Sequence, residues 1–462
     1  MENHQKSAVH HLPADILTAM ASHLEDKSLV FATHVCHFWR SALISFPRLW
    51  SQLTFKNERR ALVFLERSKS APVSVDIVGG LDLAETTREL KRSTHRFTTL
   101  RAVCIPFLNE LLVQPLPKLR NLDVVTRNGF PSVRALTTDT NPDCPLFRTL
   151  TNFCFTLNLL SGFVEIPRME DSLLDFLRGC PLLEAVSLDY GDYGDTPSTV
   201  LEFTIGTEAL SLPRLRSFTR ASPVATISMS LLNRLSLPPT CHVEFVIRGV
   251  PSADEPWDRN LSTLRDRSYL SDVTMAKITP CPPGLSGGFG GVCLELINSE
   301  SKTISLNRQN SISNQAINGF LEFLGGSEIT RSVEILLFER CPLYLPRKYH
   351  SQGLVQPLLK LRNLKTILFW ECDFSFFLII PDPPAVWCPS VEHLEICLPP
   401  PTLLKATELH LERVLDIALS RNDHGIPLKT VTLSSNGVGG LLREWRGLIE
   451  ELSSCVELVE FA

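Results

Sequence analysis

One short phrase of apolar positions recurs along this chain: apolar, two residues, apolar, one residue, apolar. Leu100/Val103/Ile105, Leu119/Leu122/Val124 and Leu183/Val186/Leu188 spell it in the first half. Val333/Leu336/Phe338, Leu364/Ile367/Phe369, Val391/Leu394/Ile396, Leu428/Val431/Leu433 and Val456/Val459/Phe461 spell it again toward the end. The last two apolar positions flank a single residue, the alternation of a strand buried on one face. Helical stripes lie between the phrases. Ser172–Arg178 carries Leu173, Leu174 and Leu177 and stops at Gly179, and Asn314–Leu324 carries Ile317, Phe320, Leu321 and Leu324 and stops at Gly325-Gly326. Leu409–Ser420 and Leu441–Leu452 read the same way, the latter with Trp445, Leu448 and Ile449. Strand plus helix at intervals of about 27–37 residues predicts a repeat array. The phrase lapses between Leu119 and Leu183, where Phe147 and Leu150 meet Asn152. A doubly wound α/β sheet is the competing fold, and the regular phrasing favours the array.

The N-terminus follows a different pattern. Leu12, Ile16, Leu17, Met20 and Leu24 form a helical stripe, with Pro13 where a missing N–H is tolerated. Asp26 is placed to cap a second helix carrying Leu29, Ala32, Val35 and Cys36. A third stripe holds Cys36, Trp39 and Leu43, and Pro47 closes it. Three helices this short bury a thin core, which leaves apolar side chains at the surface. Next, Arg59–Arg67 reads as a helix with Leu62 and Leu65 inward, Ser68–Pro72 breaks it, and Val73, Val75 and Ile77 alternate as a strand.

The order Leu12-Pro13, Ile16-Leu17, Leu24, Leu29, Val35-Cys36, Trp39-Arg40 and Pro47-x-Leu49-Trp50 resembles the F-box. Asp15 stands where that family more often has Glu, which keeps the charge. The passage LWSQL…LERSKSAPVSVDI is similar to the continuation found in many fungal F-box proteins. The recurring phrase resembles a leucine-rich repeat. Cys341, Cys372 and Asn436, three places past the last apolar residue of their phrases, occupy its Asn/Cys position, where a side chain satisfies loop backbone groups. These resemblances imply an α/β chain: a three-helix F-box over 8–56, a connecting helix and strand over 57–80, and an irregular leucine-rich-repeat solenoid over 81–462. A loop insertion is expected over 249–292, where the phrase fails among Pro251, Pro256, Cys281-Pro282-Pro283 and Gly284–Gly291.

The family resemblance also implies partners. Leu12, Pro13, Ile16, Leu17, Leu24, Leu29, Val35, Cys36, Trp39, Leu49 and Trp50 would contact a Skp-type adaptor or support the box from within. The adaptor would link the chain to a cullin, and the repeats would hold a target protein. Such a receptor does no bond chemistry; it raises the concentration of target near a ubiquitin-conjugating enzyme. A repeat scaffold that uses the box as an interaction module without degradation is the second function class. Cytoplasm or nucleus is the expected location.

Composition narrows the rest. The chain has 462 residues, 44% hydrophobic and 21% charged, enough for a large core and more than one domain. A net charge of -5 argues against a general nucleic-acid binder. No apolar run reaches the roughly 20 residues of a membrane helix, and no basic-then-apolar leader begins the chain. The 13 cysteines include no C-x-x-C pair, and no zinc spacing appears, so reduced thiols serving as small apolar residues are expected. Gly287–Gly291 lacks the Lys-Ser/Thr ending of a phosphate loop. Asp189, Asp192 and Asp195 lack the ligand order of a calcium loop and read as a solvated acidic loop. Lys91, Arg92, His95 and Arg96 read as one wet helix face, and Phe374–Ile380 as a buried strand or ridge. No hydrolase elbow or metalloprotease motif is present, so no catalytic residue, cofactor or metal is assigned.

Overall fold

The computed structural model is a mixed α/β protein built largely on parallel strands. It divides into two compact units, Met1–Leu201 with Leu212–Leu215, and Glu202–Ser211 with Arg216–Ala462. The structure describes residues 12–78, 83–103, 108–112, 114–126, 148–157, 173–190, 209–222, 231, 234–238, 240–247, 273–281, 291–298, 303–308, 317, 320–321, 323–324, 332–341, 358–359, 361–370, 372, 388–397, 404–434 and 445–461.

The first unit opens with helices α1 (Ala14–Ala21), α2 (Asp26–Ala32) and α3 (His37–Ser45) and a 3-10 turn at Pro47–Trp50. Glu25, not Asp26, is the N-cap of α2; Asp26 is its first residue, where a carboxylate still favours the helix dipole. There follow β1 (Gln52–Thr54), α4 (Glu58–Arg67), β2 (Val73–Val78), α5 (Leu83–Ser93), β3 (Phe97–Val103), α6 (Leu108–Leu112), β4 (Asn121–Thr126), β5 (Asn152–Leu157) and β6 (Ala185–Tyr190). Each strand pairs in parallel with the next. Leu100, Leu122, Phe153 and Val186 share one register line, and Ala102, Val124, Phe155 and Leu188 share the next inward one. All eight are buried. The apparent lapse before Leu183 is therefore a misread register. Leu150/Phe153/Phe155 is the missing phrase, and Asn152 points outward, donating to Asn121 Oδ1 at 2.6 Å.

The wet basic face also needs correction. Lys91 pairs with Glu110 and Arg92 with Glu89, both at 2.6 Å near solvent. Arg96 is buried instead, and its Nη2 donates to Ser68 Oγ at 3.1 Å and Leu65 O at 3.4 Å. It is thereby a second donor to a carbonyl in the last turn of α4, Leu65 O, which also accepts from Ser68 Oγ at 2.7 Å.

In the second unit β7 (Leu210–Ser211) pairs with β9 (Leu235–Ser236). The larger run contains β8 (Ser217–Ser222), β10 (His242–Ile247), β11 (Val273–Cys281), β12 (Gly291–Asn298), β13 (Thr303–Arg308), β14 (Ile335–Glu339), β15 (Thr366–Trp370), β16 (His393–Cys397), β17 (Thr430–Ser434) and β18 (Leu458–Phe461). Its spatial order is β8-β10-β13-β12-β11-β14-β15-β16-β17-β18. Among the described residues only β12 is antiparallel to both its neighbours. The loop expected over 249–292 is thus corrected in part: 273–281 is a nine-residue strand, and β12 begins at Gly291. The physical reason is burial of Val273, Ala276 and Ile278 against both neighbouring strands. Residues 249–272 and 282–290 lie outside the described residues. So do Ile105, Asp192, Asp195, Asn436 and Phe374–Ile380.

From β14 to β17 the phrase sets the packing. Each first apolar residue (Val333, Leu364, Val391, Leu428) and both strand positions are buried. Phe338 and Phe369 stack with ring centroids 5.2 Å apart. Cys341 Sγ donates to Ile278 O at 3.3 Å, and Cys372 Sγ to Phe338 O at 3.2 Å. Each thiol therefore ties its own turn to a backbone carbonyl of the preceding strand in the sheet. Val459 and Phe461 belong to β18, as their phrase predicts, although Phe461 is exposed. Helices α7 (Leu404–Asp423) and α8 (Arg446–Cys455) pack together beside this end.

Candidate functional site

The N-terminal helices separate the candidate residues into two sets. Leu17, Leu29 and Trp50 are buried, together with Ala21, Ala32, Ala42 and Leu43. Ile16, Leu24 and Val35 are exposed, Pro13 is exposed, and Leu12, Cys36, Trp39 and Leu49 are half-buried. Helical geometry accounts for this division. Leu17 and Ala21, four apart, face α3, while Ile16 and Met20, also four apart, face away. On α2 the inward pair Leu29 and Ala32 turns Phe31 to the opposite side. Phe31 is 71% exposed and Val35 59%, the two highest values among the large apolar side chains of the described residues.

The small core is anchored by Trp50, not Trp39. Trp50 is fully buried, and its Nε1 donates to Leu43 O at 3.0 Å. Its ring meets Phe64 edge to face at 4.9 Å, and the Arg67 guanidinium lies 4.5 Å above it. Through Phe64 and Arg67 it ties the 3-10 turn to α4. Trp39 has its indole nitrogen buried with no acceptor among the described residues. Cys36 caps α3 weakly, its Sγ accepting from Trp39 N at 3.5 Å. Arg40 Nε donates to Thr33 O at 3.0 Å, closing the end of α2 onto α3.

Ile16, Met20, Leu24, Phe31, Val35 and Phe38 thus stand exposed on three short helices and the turns between them, whose inner faces are filled by Leu17, Ala21, Leu29, Ala32, Ala42 and Leu43. Lone apolar side chains at a surface are ordinary; six within 23 residues of chain are more than such scatter supplies. Phe31, Phe38 and Met20 were absent from the candidate residues. The signal for Phe31 was present, since the Leu29/Ala32 spacing leaves it only the outer face.

Burial raises the thiol of Cys154 to about 11 and those of Cys241 and Cys388 to about 12, which makes them poor nucleophiles. A groove of about 640 Å³ between α4 and α5 is lined by Val63, Glu66, Lys69, Glu85, Glu89 and Arg96. Its charges are of both signs. Among the described residues no group of His, Cys, Asp or Glu is arranged to hold a metal ion, and no helix is long and apolar enough to cross a membrane. No protein-family model matches the chain, and no curated protein matches it.

Proposed function

We propose that this chain is the substrate receptor of a Skp–cullin–F-box ubiquitin ligase, with the N-terminal helices as an F-box and the strands as an irregular leucine-rich-repeat solenoid. The observation that carries the reading is the exposure of Ile16, Met20, Leu24, Phe31, Val35 and Phe38 outside a core already closed by Leu17, Leu29, Leu43 and Trp50. A helical cap that served only to shield a larger core would turn these side chains inward. The thiols of Cys341 and Cys372, bonded back to the preceding strand, support the repeat reading. In this role the protein performs no bond chemistry and acts by holding adaptor and target together.

Phe31→Asp combined with Val35→Asp tests the reading in the full chain. Both side chains are exposed, so the change leaves helical signal and melting temperature nearly unaltered. Adaptor recovery on co-purification should fall about a hundredfold, from lost apolar burial and two carboxylates placed in a dry contact. Full recovery of adaptor and cullin would remove the F-box assignment. A non-degradative scaffold would bind the same adaptor, yet its target would fail to accumulate when the proteasome is inhibited.

A further inference from the structure

Across the outward face of the second unit, one register line reads Glu295, Lys277, Leu337, Leu368, Glu395, Thr432 and Glu460 from β12 to β18. Leu337 and Leu368 lie side by side at its centre. Ile335 and Met275 are paired on the line before it, and Trp370 stands on the line after it, 51% exposed. A strand face shaped only for water would carry short polar side chains at these places. β17 does so with Thr430, Thr432 and Ser434. β14 and β15 instead place half-buried Leu337, Leu368 and Ile335 there, with Trp370 exposed beside them.

The charge around this patch is uneven. Lys277 is held by Glu339 at 2.7 Å and reaches Glu295 at 4.0 Å. At the start of the strands, Glu334 pairs with Lys365 and Glu392 with Lys429. Those ion pairs are balanced. Glu395, beside Leu368, and Glu460, two strands further on, have no cation placed against them among the described residues. The apolar centre is therefore bordered on one side by matched charges and on the other by excess carboxylate.

We propose that this face binds an extended, basic segment of a target protein, with an apolar side chain on Leu337 and Leu368 and a lysine or arginine between Trp370 and Glu395. The indole face and the carboxylate attract the same cation. Strands lie about 4.8 Å apart, so β14 to β18 spans roughly 19 Å, about five or six extended residues. The inference rests on the proposed reading that the repeats hold the target, and it is separable from the adaptor reading.

The test uses the full chain and two labelled peptides of about ten residues, one carrying leucine with lysine, the other leucine with glutamate. Fluorescence anisotropy at low and high salt reads binding, and adaptor co-purification is scored on the same preparation. The lysine peptide should bind, more weakly as salt rises, and the glutamate peptide should not. Trp370→Ala and Glu395→Lys should each weaken binding about tenfold. Equal binding of both peptides, no binding, or binding untouched by both substitutions overturns the inference. Loss of adaptor with peptide binding retained counts against the F-box reading alone.

Discussion

Replacing Trp50 with alanine is expected to loosen the N-terminal helices by about 3–5 kcal/mol, the range for a large buried aromatic side chain. The indole is fully buried, donates to Leu43 O and packs edge-on against Phe64. Its loss opens a cavity and leaves Leu43 O with only the Phe46 N–H at 3.3 Å. Three short helices hold little stability in reserve. Hydrogen exchange over residues 14–67 should therefore accelerate at least about a hundredfold. Trp50→Phe keeps the contact with Phe64 and loses the N–H, so it should cost far less. Trp39→Ala is the informative control. Trp39 is half-buried, and truncation also removes an indole nitrogen that has no acceptor among the described residues. Its effect on exchange should be distinctly smaller than that of Trp50→Ala. Equal effects at both positions would mean that the core is not centred on Trp50.

The second large effect is expected at Arg421, near the end of α7. This guanidinium is buried, with Nη1 donating to Cys388 O and Nη2 to Val391 O at 2.6 Å and Pro389 O at 3.4 Å. It holds in place the turn that leads into β16. Arg421→Leu preserves apolar volume but takes the guanidinium from three carbonyls, of which Cys388 O keeps the Val391 N–H at 3.0 Å, a loss of about 3 kcal/mol. Arg421→Lys lacks the planar fork that reaches several acceptors together and should restore only part of this. Urea unfolding, with hydrogen exchange across 388–397, measures both. A neutral Arg421→Leu would show that water replaces the guanidinium at little cost.

These two sites also show why some of the molecule was legible in its residues and some was not. The phrase Leu364/Ile367/Phe369 predicts a one-face-buried strand because period-two burial leaves a direct trace, and β14 to β17 follow it. Cys341 and Cys372 could be placed by counting from the strand, since a parallel array repeats its turn geometry. β11 escaped detection because its register shifts between Val273 and Met275. An extra residue there breaks the alternation of buried Val273, Ala276 and Ile278. Arg96, Arg220 and Arg421 are buried, and nothing local distinguishes them from surface arginines. Their burial depends on backbone or strands far along the chain, as with Arg421 and Cys388. At the N-terminus the order of apolar residues located the three helices. It did not separate core from surface, because Ile16 and Leu17 are adjacent and equally apolar. Which of the two faces inward is set by where α3 packs.

The central claim is that the exposed apolar side chains of the first three helices meet an adaptor. Hydrogen exchange of the full chain, alone and mixed with a purified Skp-type adaptor, tests this most directly. The account predicts added protection within residues 14–46, with the amides of β3 to β5 and β14 to β16 unchanged. No added protection, or protection confined to the strands, would contradict it.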